Sequence, residues 1–263
     1  IVHEDRLPAM IIEDLRASAA PEDEMRREAA AERARPFDLA RGPLLRARLL
    51  RLGDEDQVLL LSMHHIVSDA WSNGVLVGEL FALHGAEVRG EPSPLPDLPI
   101  QYADFAAWQR DWLQGEALLR ELGYWRSALA GAPEALDLPS DRPRPPVPSH
   151  RGAWVSGAVP AATAQALSEL SRKAGATLFM TLLSAFYLLL HRYTGQRDLV
   201  VGSPIANRTQ TETEGLIGFF INTLVLRAAV ADELTFEALL ARVKETCLGA
   251  YAHQDLPFER LVQ

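Results

Sequence analysis

Apolar and polar positions in this chain change their period several times, and each change marks an element. Residues 1 to 21 mix apolar and acidic positions without a period and assign no element. From Pro21 to Arg35, Glu, Arg and Ala dominate, which predicts a solvated helix of high intrinsic propensity. Pro36-Phe37-Asp38-Leu39 breaks it. Between Leu44 and Leu52 basic and apolar residues alternate, as in a half-exposed strand. The apolar run Val58 to Met63 follows the acidic turn Gly53-Asp54-Glu55-Asp56 and reads as a buried strand, so the two predict a hairpin. Spacing turns helical again from Ser72 or Asn73 to about His84-Gly85. His64 and His65 therefore stand where a strand ends and a helix begins, a place where side chains can face a cleft.

Further helices are predicted from Tyr102 to Leu113, from Glu116 to Ala130 and after Pro160. Thr177 to Tyr193 is apolar nearly all round, which predicts a buried helix. Thr235 to Ala252 is amphipathic, with Thr235 as its N-cap. Gly152 to Val159, Asp198 to Ile205 and Phe219 to Arg227 read as strands. Pro133, Pro139, Pro143, Pro145, Pro146 and Pro148 exclude a regular helix or central strand and suggest a semi-rigid linker. The fold class is α/β (α+β), with residues 1–138 and 152–263 on either side of a linker at 139–151.

Composition narrows the functional classes. With 263 residues, 48% of them hydrophobic, the chain can bury a sizeable core. A net charge of −9 argues against nucleic acid or an anionic membrane as the main partner. The single cysteine, Cys247, excludes an internal disulfide and a thiolate metal cluster. No signal peptide or membrane span is evident, and the chain opens on Ile1, so an excised piece of a longer protein is expected.

Neighbouring residues on a strand point to opposite faces, so His64 and His65 are poorly placed to chelate one metal ion. No Gly-x-Ser-x-Gly elbow occurs, which disfavours a serine hydrolase. Buried packing of both histidines remains one reading. The other has one imidazole facing a cleft as a base or hydrogen-bonding group, with Asp69 fixing the local geometry.

His64-His65-Ile66-Val67-Ser68-Asp69-Ala70 resembles the HHxxxDG signature of condensation domains from nonribosomal peptide synthetases. Three more stretches resemble motifs of that family in the same order: Tyr102 to Trp108, Ile217 to Arg227, and His253 to Glu259. Gly202 to Arg208 also looks like the family, and the overall pattern is most similar to the subtype that joins two L-residues. The resemblance implies two chloramphenicol-acetyltransferase-like lobes in a V-shaped arrangement. Residues 1–138 would be the C-terminal part of the first lobe and 152–263 the beginning of the second. Further family motifs would precede Ile1 and a last one would follow Gln263, so the isolated piece is expected to be inactive.

By the same resemblance the domain forms an amide between a donor thioester and the amine of an acceptor aminoacyl thioester. Both ride on phosphopantetheine arms of carrier proteins, and the domain binds no cofactor and no metal of its own. Donor and acceptor carrier proteins and a neighbouring adenylation domain are the implied partners, in a cytoplasmic synthetase. His65 is the implied catalytic residue. His64 and Asp69 support the motif, and Asp69 is expected to pair with an arginine, either Arg227 or one upstream of Ile1. Asn222 is implied near the tunnel, and Ser203 in a crossing loop. Ala70 departs from the signature glycine: a positive φ there would strain alanine, a negative φ or a purely packing role would make the change mild, and Ala70→Gly is expected to raise activity modestly. A non-catalytic docking domain of the same fold and an ester-forming acyltransferase are the competing readings.

Overall fold

The computed structural model describes residues 10–143, 145–149 and 152–262. In chain order the elements are β1 (Met10–Asp14), α1 (Pro21–Ala34), β2 (Leu45–Arg51), β3 (Gln57–Met63), α2 (Ala70–Arg89), α3 (Tyr102–Trp112) and α4 (Gly115–Ala128). They continue with α5 (Ala161–Lys173), α6 (Leu178–Thr194), β4 (Asp198–Ile205), β5 (Asn222–Ala229), α7 (Phe236–Ala252) and α8 (Phe258–Leu261). Two compact units result. One comprises residues 1–107 with 208–220, the other 108–207 with 221–263. The described part of the 139–151 segment contains no helix or strand and runs inside the second unit; residues 144, 150 and 151 lie outside the described residues.

In the first unit β2 and β3 form the antiparallel hairpin, Leu45 opposite Met63 and Arg51 opposite Gln57. A strand that no periodicity signalled, β1, adds parallel to β2 from Met10 opposite Ala47 to Asp14 opposite Arg51. Its connection to β2 runs through α1, since parallel neighbours need a long crossover. The arginine face of β2 is not the wet face that its alternation suggests. Arg46 and Arg48 are largely buried beneath the acidic side chains of α1 and β1. Arg48 meets Glu13 at 2.6 Å and Glu28 at 2.7 Å, and Arg46 pairs with the buried Glu32. The polar faces of helix and strand cover each other.

The second unit holds the apolar core. β4 pairs antiparallel with β5, Asp198 opposite Ala229 and Ile205 opposite Asn222. Alternate residues of β5, Leu224, Leu226 and Ala228, point inward. They pack with Met180, Leu183, Tyr187 and Leu190 of α6 and with Leu239, Leu240 and Val243 of α7. Both helices start where a threonine caps them. Thr177 Oγ1 accepts from Met180 N–H at 3.2 Å, and Thr235 Oγ1 from Ala238 N–H at 3.2 Å.

Three expectations are corrected. Residues 152–159 form no strand, and Trp154 and Val155 stand almost fully exposed; apolar residues in sequence do not make a strand without a partner for the ladder. Helix α6 is buried on one face only, for Leu182, Leu189 and Tyr193 are exposed. Helix α2 begins at Ala70, ahead of Ser72, and runs on to Arg89. Among the described residues no single helix is long and apolar enough to cross a membrane.

Candidate functional site

Strand β3 ends at Met63, and the two histidines diverge at once. His64 N–H donates to Leu44 O at 3.0 Å, closing the hairpin. Its imidazole Nδ1 accepts from Ile66 N–H at 3.1 Å and so caps the single 3-10 turn His65–Val67. The ring meets Phe37 edge-on, centroids 5.8 Å apart. His64 is thus spent on local structure.

His65 is exposed and borders a cavity of about 500 Å³ that Leu61, Met63, Leu76 and Val77 line on its apolar side. Its Nδ1 lies 2.6 Å from Ser68 O. A carbonyl oxygen can only accept, so Nδ1 carries a proton, and in the neutral ring the lone pair is on Nε2. The fold thereby presets the tautomer in which Nε2 can take a proton or accept a hydrogen bond. The Phe219 ring packs edge-to-face on the imidazole, centroids 5.3 Å apart and planes at 81°.

Asp69 is buried and caps α2, with Oδ1 accepting from Ser72 N–H at 2.8 Å. Its Oδ2 accepts from Phe220 N–H at 3.0 Å, and Arg208 Nη2 lies 3.3 Å from Oδ1. Burial pushes the carboxyl pKa up. The amides of Ser72 and Phe220 and the Arg208 charge outweigh that and leave it below its ordinary value. The partner of Asp69 is therefore Arg208. Arg227 is bound instead to Asp198, at 2.9 Å through Nε and 2.7 Å through Nη2, and donates to the carbonyls of Ala128 and Ala130.

Arg208 is almost wholly enclosed and ties the 208–220 segment to the histidine loop. Nη1 donates to Leu216 O at 2.9 Å and to Thr213 O, and Nη2 donates to Ser72 Oγ at 2.7 Å. The guanidinium also lies over the Phe220 ring, 4.0 Å from its centroid. Ser72 is not the helix cap. Its hydroxyl donates to Gly218 O at 2.8 Å and accepts from Gly218 N–H at 3.0 Å, and with the bond accepted from Arg208 Nη2 the oxygen is saturated. Gly218 must lack a side chain, since a Cβ there would come within 2.2 Å of the Tyr102 ring.

Ala70 lines the cavity as the first residue of α2. Among the described residues the only non-glycine with positive φ is Asn207, so Ala70 bears no left-handed strain. An activity gain on restoring glycine by relief of strain loses its basis.

The structure brings His64, His65, Asp69 and Ala70 together in the first unit. Asn222, Arg227 and Ser203 belong to the second. The Asn222 amide donates to the carbonyls of Gln254 and Leu256, both at 2.8 Å, and accepts from Thr223 and Phe258 N–H. With all four positions used it has nothing left for a substrate. Ser203 sits half-buried in β4 opposite Leu224. Sequence reasoning missed Arg208, Ser72, Gly218 and Phe219 as parts of the histidine site. A buried carboxylate demands a cation, but nothing local names one 139 positions away.

Residues 1–263 match the Condensation domain family along their whole length. The chain belongs to the condensation-domain family. This condensation domain is 53% identical to one of the linear gramicidin synthase polypeptides of Brevibacillus parabrevis, over all of the chain but only 3% of that polypeptide. Among solved structures it resembles the X-domain in the complex of the X-domain and OxyB from teicoplanin biosynthesis. The TM-score there is 0.86 at 30% identity, covering 97% of this chain and 56% of that one. It also resembles the first condensation domain of the calcium-dependent antibiotic synthetase, with a TM-score of 0.73 at 25% identity, covering 96% of this chain and 58% of that one. The condensation domain thus spans somewhat more than half of the solved chains and a small part of the gramicidin synthase polypeptide.

Proposed function

We propose that these residues serve amide bond formation, with His65 at the reacting amine. The donor acyl or peptidyl thioester and the acceptor aminoacyl thioester arrive on phosphopantetheine arms of two carrier proteins, with an adenylation domain alongside in a cytoplasmic synthetase. Residues 1–138 and 152–263 are read as portions of two chloramphenicol-acetyltransferase-like lobes, and the substrates as two L-residues. The observation that carries the reading is the His65 tautomer: Nδ1–H is held by Ser68 O at 2.6 Å, which leaves Nε2 able to accept the amine proton.

Deprotonation is the smaller part of the work. An α-amino group of pKa about 7.7–8.0 is roughly one-tenth neutral at pH 7, a deficit of about 1.4 kcal/mol. Holding two reactants in line is worth roughly 7–11 kcal/mol. His65 therefore acts chiefly by orienting the amine and stabilising the charge that develops on it. In the full-length polypeptide, His65→Ala is expected to lower amide formation by about 10²–10⁴-fold while carrier-protein binding stays near normal. Single-turnover assays with loaded carriers measure the first and a binding titration the second; near-normal turnover sinks the assignment.

The likeness to the X-domain bound to OxyB favours a second reading, in which the fold recruits a partner enzyme without catalysis. The same assay separates the two, since a recruiting domain binds its partner and forms no amide.

A further inference from the structure

Asp69 stands four residues after His65, yet it makes no hydrogen bond to the imidazole. Its oxygens serve Ser72 N–H, Arg208 and Phe220 N–H. What the carboxylate holds is the backbone on which Phe219 stands. Phe220 N–H is bound to Asp69 Oδ2 at 3.0 Å, Phe219 O accepts from Tyr102 Oη at 2.8 Å, and Gly218 is gripped at both N–H and C=O by Ser72 Oγ. Three successive peptide groups are fixed, so the Cβ of Phe219 has one position. Its ring then has only its own two torsions to settle.

The imidazole needs such a neighbour. The Ser68 carbonyl sets the tautomer, but one hydrogen bond leaves the ring free to swing about the Nδ1···O line. The edge-to-face contact with Phe219, at 5.3 Å and 81°, supplies the second constraint and fixes the plane in which Nε2 points. We infer that Phe219 is a positioning residue for His65, and that Asp69 acts on the imidazole through it. The chain of contact runs from carboxylate to Phe220 amide, to the Phe219 ring, to His65. The inference rests on the proposed role of His65.

The test is a set of mutant cycles in the full-length polypeptide, with loaded donor and acceptor carriers. Phe219→Leu is expected to lower kcat for amide formation about tenfold, because small misplacements of a catalytic group are costly, with the acceptor KM within about twofold. Phe219→Tyr, which keeps the ring edge, is expected to stay within about twofold of the parent. In a His65→Ala background Phe219→Leu is expected to have less than about a twofold further effect, and combined with Asp69→Asn the two losses are expected not to multiply. A loss that is the same with and without His65, or that falls on KM, overturns the inference. If Phe219→Leu lowers the soluble yield, Phe219→Met retains bulk without a ring and is read in its place. An independent readout is the rate at which diethyl pyrocarbonate modifies His65, mapped by mass spectrometry. It is expected to change severalfold in Phe219→Leu and hardly at all in Phe219→Tyr, and an unchanged rate in both overturns the inference. Inactive His65→Ala with a neutral Phe219→Leu defeats this inference alone, whereas active His65→Ala defeats the catalytic reading as well.

Discussion

The two units are held together by different physics. The second packs its buried apolar side chains into one cluster, drawn mostly from α4, α6, β4, β5 and α7. The first buries fewer large apolar side chains and relies on charges and hydrogen bonds: Arg46 and Arg48 against Glu13, Glu28 and Glu32, and Arg208 against Asp69. Apolar contacts are non-directional and forgiving of shape-conserving change. A buried ion pair is directional and unforgiving, because removal of one partner strands the other. The candidate catalytic histidine belongs to the directional unit, where a loop must be held in one geometry rather than merely covered.

The largest expected effect comes from stranding a charge. Arg208→Met should destabilise by about 3–5 kcal/mol in denaturant unfolding, and adding Asp69→Asn should recover much of that loss. Leu226→Ala in the apolar cluster should cost about 2–5 kcal/mol, with no single polar partner whose removal restores it. Equal rescue in both units would abolish the distinction. Acid sharpens it further. The Asp69 pKa is lowered, so its contribution is full above the ordinary carboxylate range and lost as pH falls through the lowered folded value. The Asp255 pKa is raised by burial and by Glu121, so its contribution is present at low pH and lost as pH rises through the raised value. The second unit holds lowered carboxylates as well, Asp198 beside Arg227 and Asp232 beside His191 and Arg197, so the acid effect is read at the Asp69 contacts themselves. Hydrogen exchange at the Ser72 and Phe220 amides, both of which donate to Asp69, should rise as pH falls through the lowered Asp69 value, and unchanged protection there would refute this. The smallest effect is at Ala70. With a helical backbone there, Ala70→Gly should cost about 0.5–1 kcal/mol by thermal unfolding, and a stabilising substitution would show a strain that the helix geometry does not contain.

Much of this molecule was legible along the chain. The β2–β3 hairpin, the helices at Pro21, Tyr102 and Thr177, the Thr235 cap and the strand at Asp198 all follow from local periodicity and capping chemistry. So does the family, carried by motifs that are contiguous in sequence. β1 was not legible, because a short exposed strand has no period of its own and is defined by the neighbour it pairs with. Residues 152–159 show the converse, a strand-like composition with no ladder to join. Arginine alternation in β2 correctly implied a strand but misplaced its faces, since hydrophobicity does not say that glutamates of α1 will cover it.

At the site the division is sharper. By itself the sequence determined that two histidines end a strand before a helix and that an aspartate follows them, because each of those depends on residues within a turn of one another. Only the tertiary structure decided that Arg208 and not Arg227 meets Asp69, that Ser72 serves a distant glycine, and that Ala70 needs no left-handed backbone. The physical reason is range. Periodicity and capping act over a few residues, whereas a buried carboxylate takes whichever cation the fold delivers, here one from 139 positions along the chain.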